Sequence, residues 1–175
     1  DHIYTGFGYA GLHSRRMFSY SIKDSIWEEQ NISRLGIPTA VFSPVGTTAG
    51  GRHFTGTGFT TESTSQWFEY LPLQKRFVRL SPLPGKGRDS AGATGNAEYV
   101  YVFGGQRFGG TLTTLHFYDN IMRYSVASGS WDYCSALPCG GVIEPIAFTI
   151  GNTVYTGGGE TQNGTIVNNL YRIEE

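Results

Sequence analysis

The chain has 175 residues and a net charge of −1, from 13 basic and 14 acidic residues, with only 15% of its side chains charged. That balance, with no basic stripe and ten arginines to three lysines, argues against nucleic acid or an anionic membrane as the main partner. There is no run of 18 apolar residues to span a membrane, and 25 glycines with 14% aromatics suit many short strands and tight turns rather than helices.

Taken in order, the chain opens on an apolar strand, His2 to Gly6, with no leader ahead of it and Asp1 in place of Met, so the expectation is a mature or trimmed product. A loop from Tyr9 to Arg16 leads to strands at Met17 to Ile22 and Ile26 to about Ile32. A second group follows at Pro38 to Ser43, His53 to Gly58, Gln66 to Leu71 and Arg76 to Ser81, closed by Leu83-Pro84. The third runs through Asp89 to Gly95, Tyr99 to Phe103, Asn120 to Val126 and a strand beginning at Trp131, closed by Leu137-Pro138. The last has Pro145 to Ile150, Thr153 to Gly158 and Asn168 to Ile173. Strand counts of three, four, four and three make fourteen.

The groups are copies of one unit. With Gly8, Gly58, Gly105 and Gly159 in register, at spacings of 50, 47 and 54, Tyr4, Phe54, Tyr101 and Tyr155 fall in one column. A second column holds Tyr20, Tyr70, Tyr124 and Arg172, and a third Phe18, Phe68, Met122 and Leu170. In the first three copies the next large aromatic comes seven residues after the tyrosine, at Trp27, Phe77 and Trp131. A period of about 40 to 50 residues with four strands per copy is that of a β-propeller blade. Large flat side chains then fill the gaps between sheets, and glycine serves where strands crowd or an exit turn needs positive φ.

These features resemble the kelch family: a strand ending in a glycine pair (FGG and GGG, with looser GFG and TGTG), an aromatic-x-Tyr strand, Trp seven residues on, then Leu-Pro. The TGTG and QWFEY variants are similar to kelch-type repeats of bacterial secreted or surface proteins. The resemblance covers the whole chain. It implies an all-β propeller of about 3.5 four-stranded antiparallel blades, at roughly 1–33, 34–84, 85–141 and 142–175, and an extracellular, periplasmic or cell-surface location. An open arc exposes apolar sheet faces and predicts pairing. The expected partners that would close the ring are the remainder of a longer propeller chain or a second copy.

Alternating strand direction puts the loops between second and third strands on one face with the links from each fourth strand to the next first strand. That face gathers His13, Arg15, Arg16, Glu62, Arg107, Phe108, His116 and Glu160 from the loops, and Arg34, Arg88, Asp89 and Glu144 from the links. The link residues should ring the mouth of the central channel, the default ligand site of such a scaffold. The competing expectation is that Arg34, Arg88 and Glu144 satisfy backbone carbonyls or one another. Gln106 to Asp119 is more apolar than a solvated loop needs, so a partner contact is expected there.

Function follows as expectation. The first reading is a binding module that recognises a protein or a glycan through this face. The second is a carbohydrate-active enzyme of the sialic acid mutarotase or sugar epimerase type, in which Glu144 with Arg88 or Arg34 would do acid/base work. The histidines (His2, His13, His53, His116) are scattered, unlike the paired ligands of the copper oxidases built on such propellers, so neither a metal nor another cofactor is expected. Cys134 and Cys139 could close a small disulfide loop or be two buried thiols.

Overall fold

The computed structural model describes residues 1–9, 11–12, 14–31, 41–108 and 115–174. Among these the chain forms strands and a single 3₁₀ turn at Pro72–Gln74. The first sheet consists of β1 (His2–Gly6), β2 (Met17–Ser21) and β3 (Ile26–Glu29). The second holds β4 (Val45–Ala49), β5 (Arg52–Gly56), β6 (Trp67–Leu71) and β7 (Arg76–Arg79). The third is built from β8 (Gly92–Gly95), β9 (Tyr99–Phe103), β12 (Asn120–Ser125) and β13 (Trp131–Ala136). Within its loop, β10 (Gln106–Arg107) pairs with β11 (His116–Phe117). The fourth sheet is β15 (Ile146–Ile150), β16 (Thr153–Gly157) and β18 (Leu170–Ile173), with β14 (Val142–Ile143) pairing β17 (Glu160–Thr161) above it.

Every ladder among the described residues is antiparallel. The first strands β4, β8 and β15 touch one another in turn, so they line a common axis from which the sheets radiate. The protein is therefore a partial β-propeller: fourteen strands, equal to three and a half four-stranded blades, dealt out as four sheets. Among the described residues the first sheet has no first strand and the last has no fourth.

The seven-residue interval is a hairpin register. Tyr20 lies opposite Trp27, Tyr70 opposite Phe77 and Tyr124 opposite Trp131, with ring centroids 5.0, 5.0 and 5.2 Å apart. Cross-strand aromatic pairs are the unit of sheet stabilisation, which explains why the interval is fixed while loop lengths vary. In the fourth sheet Val154, the counterpart of Val100 and His53, lies opposite Ile173, and Thr156 opposite Tyr171. The columns thus continue through Ile173 and Tyr171, not Arg172 and Leu170. One strand slip inverts the face of every side chain, and apolar character alone did not distinguish Leu170 from Tyr171. The first strand of the second sheet also lies at Val45–Ala49 rather than Pro38 to Ser43, of which residues 38–40 fall outside the described residues. The small polar run Gly46 to Thr48 reads as loop, yet the axis favours small side chains.

Alternation sorts the packing. One face of each sheet meets the preceding sheet and the other meets the next. Phe54 and Trp67 of the second sheet enclose Val100, Val102 and Tyr124 of the third, and Trp67 stands edge-on to Trp131 at 5.1 Å. Tyr101, Phe103 and Ile121 meet Val142, Val154 and Val167 in the same way, while Met17 and Tyr4 meet Tyr70 and Phe77. Arg52 joins Glu69 through two hydrogen bonds of 2.8 and 2.6 Å and also donates to the Val126 carbonyl at 2.8 Å, tying the second sheet to the third. Trp27 departs from the expected wedge: it is 58% exposed, and no sheet of the described residues packs against that side. Ile146, Phe148, Ile150 and Leu170 are likewise exposed on the other end of the arc.

The glycine pair is a double left-handed step. Phe7-Gly8, Thr57-Gly58, Gly104-Gly105 and Gly158-Gly159 all have positive φ, so Phe7 (64°) and Thr57 (59°) adopt in two copies what glycine adopts in the others. The second residue of each pair is thereby aimed at the link that opens the following sheet. Gly8 N–H donates to Val41 (3.0 Å), Gly58 to Arg88 (2.8 Å) and Gly105 to Val142 (2.8 Å). Thr57 is 2% exposed and its Oγ1 has no partner. Left-handed backbone costs a β-branched residue about 1–3 kcal/mol, and an unpaired buried hydroxyl adds about 1–3 kcal/mol. Those terms outweigh about 1.6 kcal/mol for the two carbons lost, Cβ and Cγ2, and about 0.5–1 kcal/mol of glycine entropy. Thr57→Gly should therefore stabilise the protein by about 1 kcal/mol, read as a rise in urea midpoint at unchanged slope.

Candidate functional site

Past each glycine pair the first-to-second-strand ladder resumes in register. Phe42 bridges Phe59, Asp89 bridges Gln106, and Ile143 pairs with Glu160. Opposite Gly58, Gly105 and Gly159 sit Ser43, Ser90 and Glu144, all with positive φ (49°, 52° and 51°). The Glu144 N–H donates to the Ser90 carbonyl at 2.7 Å, linking the third and fourth sheets at the channel mouth. Loops and links of the second, third and fourth sheets thus meet on one face.

The third copy departs from its repeat at this level. Where the others carry Val41-Phe42 and Val142-Ile143, it carries Arg88-Asp89, and both side chains are 1% exposed. Arg88 donates from Nη1 to the Gly104 carbonyl (2.8 Å) and to Asn120 Oδ1 (2.9 Å), and its guanidinium lies 4.2 Å from the centroid of the Tyr118 ring. Its Nε finds no partner. Burial pushes the guanidinium pKa well below its usual value, to about 10, and Tyr118 opposes the shift. The Tyr118 hydroxyl is itself held above its ordinary value by burial, against the pull of Arg88 and Arg107.

Asp89 accepts three hydrogen bonds: Ser63 Oγ at 2.5 Å, Gln106 Nε2 at 2.9 Å and Ser90 Oγ at 3.1 Å. Ser63 comes from the loop of the second sheet and also holds Phe108 of the third. Its Oγ accepts from the Phe108 N–H (2.9 Å), and its own N–H donates to the Phe108 carbonyl (2.9 Å). Phe108 leans on Phe59 at 5.6 Å and remains 47% exposed. Beside it Arg107 lies opposite His116 in the short ladder, and His116 stands edge-on to Tyr118 at 5.0 Å.

The other predicted residues divide. Glu144 and Glu160 are exposed on the same face near the third and fourth sheets. Arg16 is exposed too, but it is engaged: it grips Glu29 through bonds of 2.7 and 2.8 Å and covers the Phe18 ring. His13, Arg34 and residues 109–114 of the long loop lie outside the described residues. Arg88 and Asp89 are enclosed rather than presented at the mouth; Asp89 and Arg88 Nη1 are engaged by the protein, while Arg88 Nε is buried without a partner. Glu144 has no contact with Arg88 to make an acid/base pair among the described residues. Ser63, Gln106, Asn120 and Tyr118 were not singled out from the sequence. A serine in a TTESTS run carries no signal until the fold brings it against Asp89.

A shallow concavity of about 410 Å³ opens nearby, lined by Cys139, Gly141, Thr161, Gln162, Asn163 and Thr165. Gln162 reaches across to the Leu115 carbonyl at 2.8 Å and closes one side. Cys134 and Cys139 are both free thiols, so no disulfide staples the end of β13. No group of three or more histidine, cysteine or acidic side chains is placed to hold a metal ion among the described residues.

No family model and no curated protein matches the chain. Solved structures do. One titled "Structure of YjhT" superposes with a TM-score of 0.73 at 16% sequence identity, covering 92% of this chain and 52% of that one. The likeness is one of fold, and the chain spans about half the length of that neighbour.

Proposed function

We propose that the chain is a kelch-type propeller binding module that recognises a protein or glycan partner through its loop-rich face. The observation that carries this reading is Phe108, an exposed aromatic fixed by two hydrogen bonds to Ser63, which is in turn fixed by a buried aspartate. Departures from a repeat that cost burial of charge are expected where function requires them, and Asp89 is such a departure. A rigid aromatic flanked by arginine and histidine is the composition of a binding hot spot. The neighbouring hydroxyl and amide groups of Thr161, Gln162, Asn163 and Thr165 suit a neutral sugar.

The test is a glycan array, followed by titration of any hit with Phe108→Ala and Asp89→Asn. We expect Phe108→Ala to weaken binding tenfold or more without moving Tm, since the ring is exposed, and Asp89→Asn to weaken binding and lower Tm together. For a protein partner, a photo-crosslinking amino acid at position 108 should capture it where one at the exposed Leu73 does not. An array without hits and equal crosslinking at both positions would defeat the proposal. The mutarotase or epimerase reading has less support, because Arg88 is committed to Gly104 and Asn120. Anomerisation of sialic acid and neutral sugars followed by NMR should proceed at the buffer rate; a faster rate abolished by Glu144→Ala would reinstate that reading.

A further inference from the structure

On the loop face the third sheet carries positive charge that no ion pair among the described residues balances. In the short ladder Arg107 stands directly opposite His116, so the two side chains leave the same side of it with Cβ atoms about 5 Å apart. Tyr118, two residues on, shares that side, and its ring meets His116 edge-on at 5.0 Å. The guanidinium of Arg88 lies against the same ring, 4.2 Å from its centroid. Burial holds the Tyr118 hydroxyl above its ordinary value, and Arg88 and Arg107 both pull the other way, so two cations converge on one phenol.

The ion pairs join Arg16 to Glu29, Arg52 to Glu69 and Arg172 to Glu174. Every acidic residue but Glu175 is among the described residues. Asp89, the nearest in sequence to Arg88, is taken up by Ser63, Gln106 and Ser90. Arg107 is half-buried, and its guanidinium donates to no described residue. The Tyr118 hydroxyl reaches the Lys86 and Gly87 carbonyls only at 3.5 and 3.4 Å, beyond the usual range of an O–H donor, so it can still serve a nearer acceptor. The two ends of the ladder are apolar and open: Phe108 follows Arg107 and is 47% exposed, and Leu115 precedes His116 and is 40% exposed.

We infer that Arg107, His116 and Tyr118, with Arg88 behind the ring, form a subsite for an acidic side chain of a protein partner, whose apolar neighbours rest on Phe108 and Leu115. The forked guanidinium of Arg107 matches the two coplanar oxygens of a carboxylate, and the His116 imidazole and the Tyr118 hydroxyl are the flanking donors. Because Arg88 is enclosed, the subsite offers one accessible guanidinium charge, which suits a monoanion rather than a doubly charged phosphate. An arginine between an exposed aromatic and an exposed aliphatic side chain is the composition of a protein hot spot; a saccharide has no use for Leu115. This assignment rests on the loop-face reading and names the partner's class and charge.

The probes are the acetylated, amidated pentapeptide GLELG, its uncharged counterpart GLQLG and, as the saccharide arm, glucuronate, each titrated into the ¹⁵N-labelled protein. GLELG should shift the Arg107 side-chain and His116 ring resonances saturably and leave the exposed Arg79 unmoved. GLQLG should bind roughly tenfold more weakly, having lost the charge-assisted bonds. Arg107→Gln should weaken GLELG to the same degree at unchanged Tm, since the guanidinium holds nothing in the protein. Equal binding of GLELG and GLQLG, or shifts that do not saturate, would overturn the subsite, and glucuronate binding more tightly than GLELG would overturn the protein assignment. A partner crosslinked at position 108 that binds Arg107→Gln unchanged but loses affinity for Phe108→Ala would sink this subsite alone; indifference to both substitutions would sink the loop-face reading with it.

Discussion

Trp67→Ala should be the most damaging core substitution, costing about 3–5 kcal/mol in urea or thermal unfolding. Trp67 is fully enclosed between the second and third sheets, stacked on Phe54 and edge-on to Trp131. Removing it empties the centre of the apolar contact between those two sheets. Trp131, which the seven-residue interval singles out, is the outer partner: it is partly exposed, and its indole N–H donates to the Ser81 carbonyl at 2.9 Å. Trp131→Ala should cost less, about 2–3 kcal/mol, since the void it leaves opens to water. Trp67→Phe is the informative control. The Trp67 indole N–H is buried without a partner, so phenylalanine recovers some desolvation free energy and should cost about half of the alanine value or less. Equal losses for Trp67→Ala and Trp131→Ala would show that the two sheets are not wedged apart by one central ring.

Gly105→Ala should cost more than about 3 kcal/mol, whereas Gly8→Ala, at the same place in its own copy, should cost only about 1–2 kcal/mol. Both glycines have φ near +90°, so both mutants bear the penalty of a left-handed backbone. They differ in space. A Cβ on Gly105 would sit 2.7 Å from the Asp89 carbonyl and 2.9 Å from the Ala91 Cβ, while none of the described residues lies within 4 Å of one on Gly8. Backbone cannot yield as a flexible side chain can, so the third sheet's link must move, taking with it Asp89 and the Ser63 to Phe108 connection. Gly105→Ala should therefore weaken any loop-face binding along with stability, and Gly8→Ala should affect stability alone. Denaturation midpoints measured beside binding isotherms separate the two outcomes.

The propeller was legible because its determinants are local and repeated. A hairpin register fixes tyrosine and tryptophan seven residues apart, and a double left-handed step calls for glycine wherever it can be had. Phe7 and Thr57 blurred that signal, since a strained residue in a glycine place looks like a poor match rather than the same backbone. The shift between Leu170 and Tyr171 was illegible because the last copy has no fourth-strand aromatic to anchor the count. At the candidate site, loop-face placement followed from strand direction, but enclosure did not. Arg88 and Asp89 belong by composition to a solvated link, and only the three-dimensional meeting of Gly104, Asn120, Ser63 and Gln106 buries them.

The one-to-next bonds from Gly8, Gly58 and Gly105 reach consistently forward along the chain, and no described contact passes over an intervening sheet to join the two ends of the arc. Cohesion of this kind is nearest-neighbour, as in a stack of repeats, so local opening is graded rather than uniform. The slowest-exchanging amides will be those of Val100 to Phe103, in a strand bonded on both edges and buried on both faces.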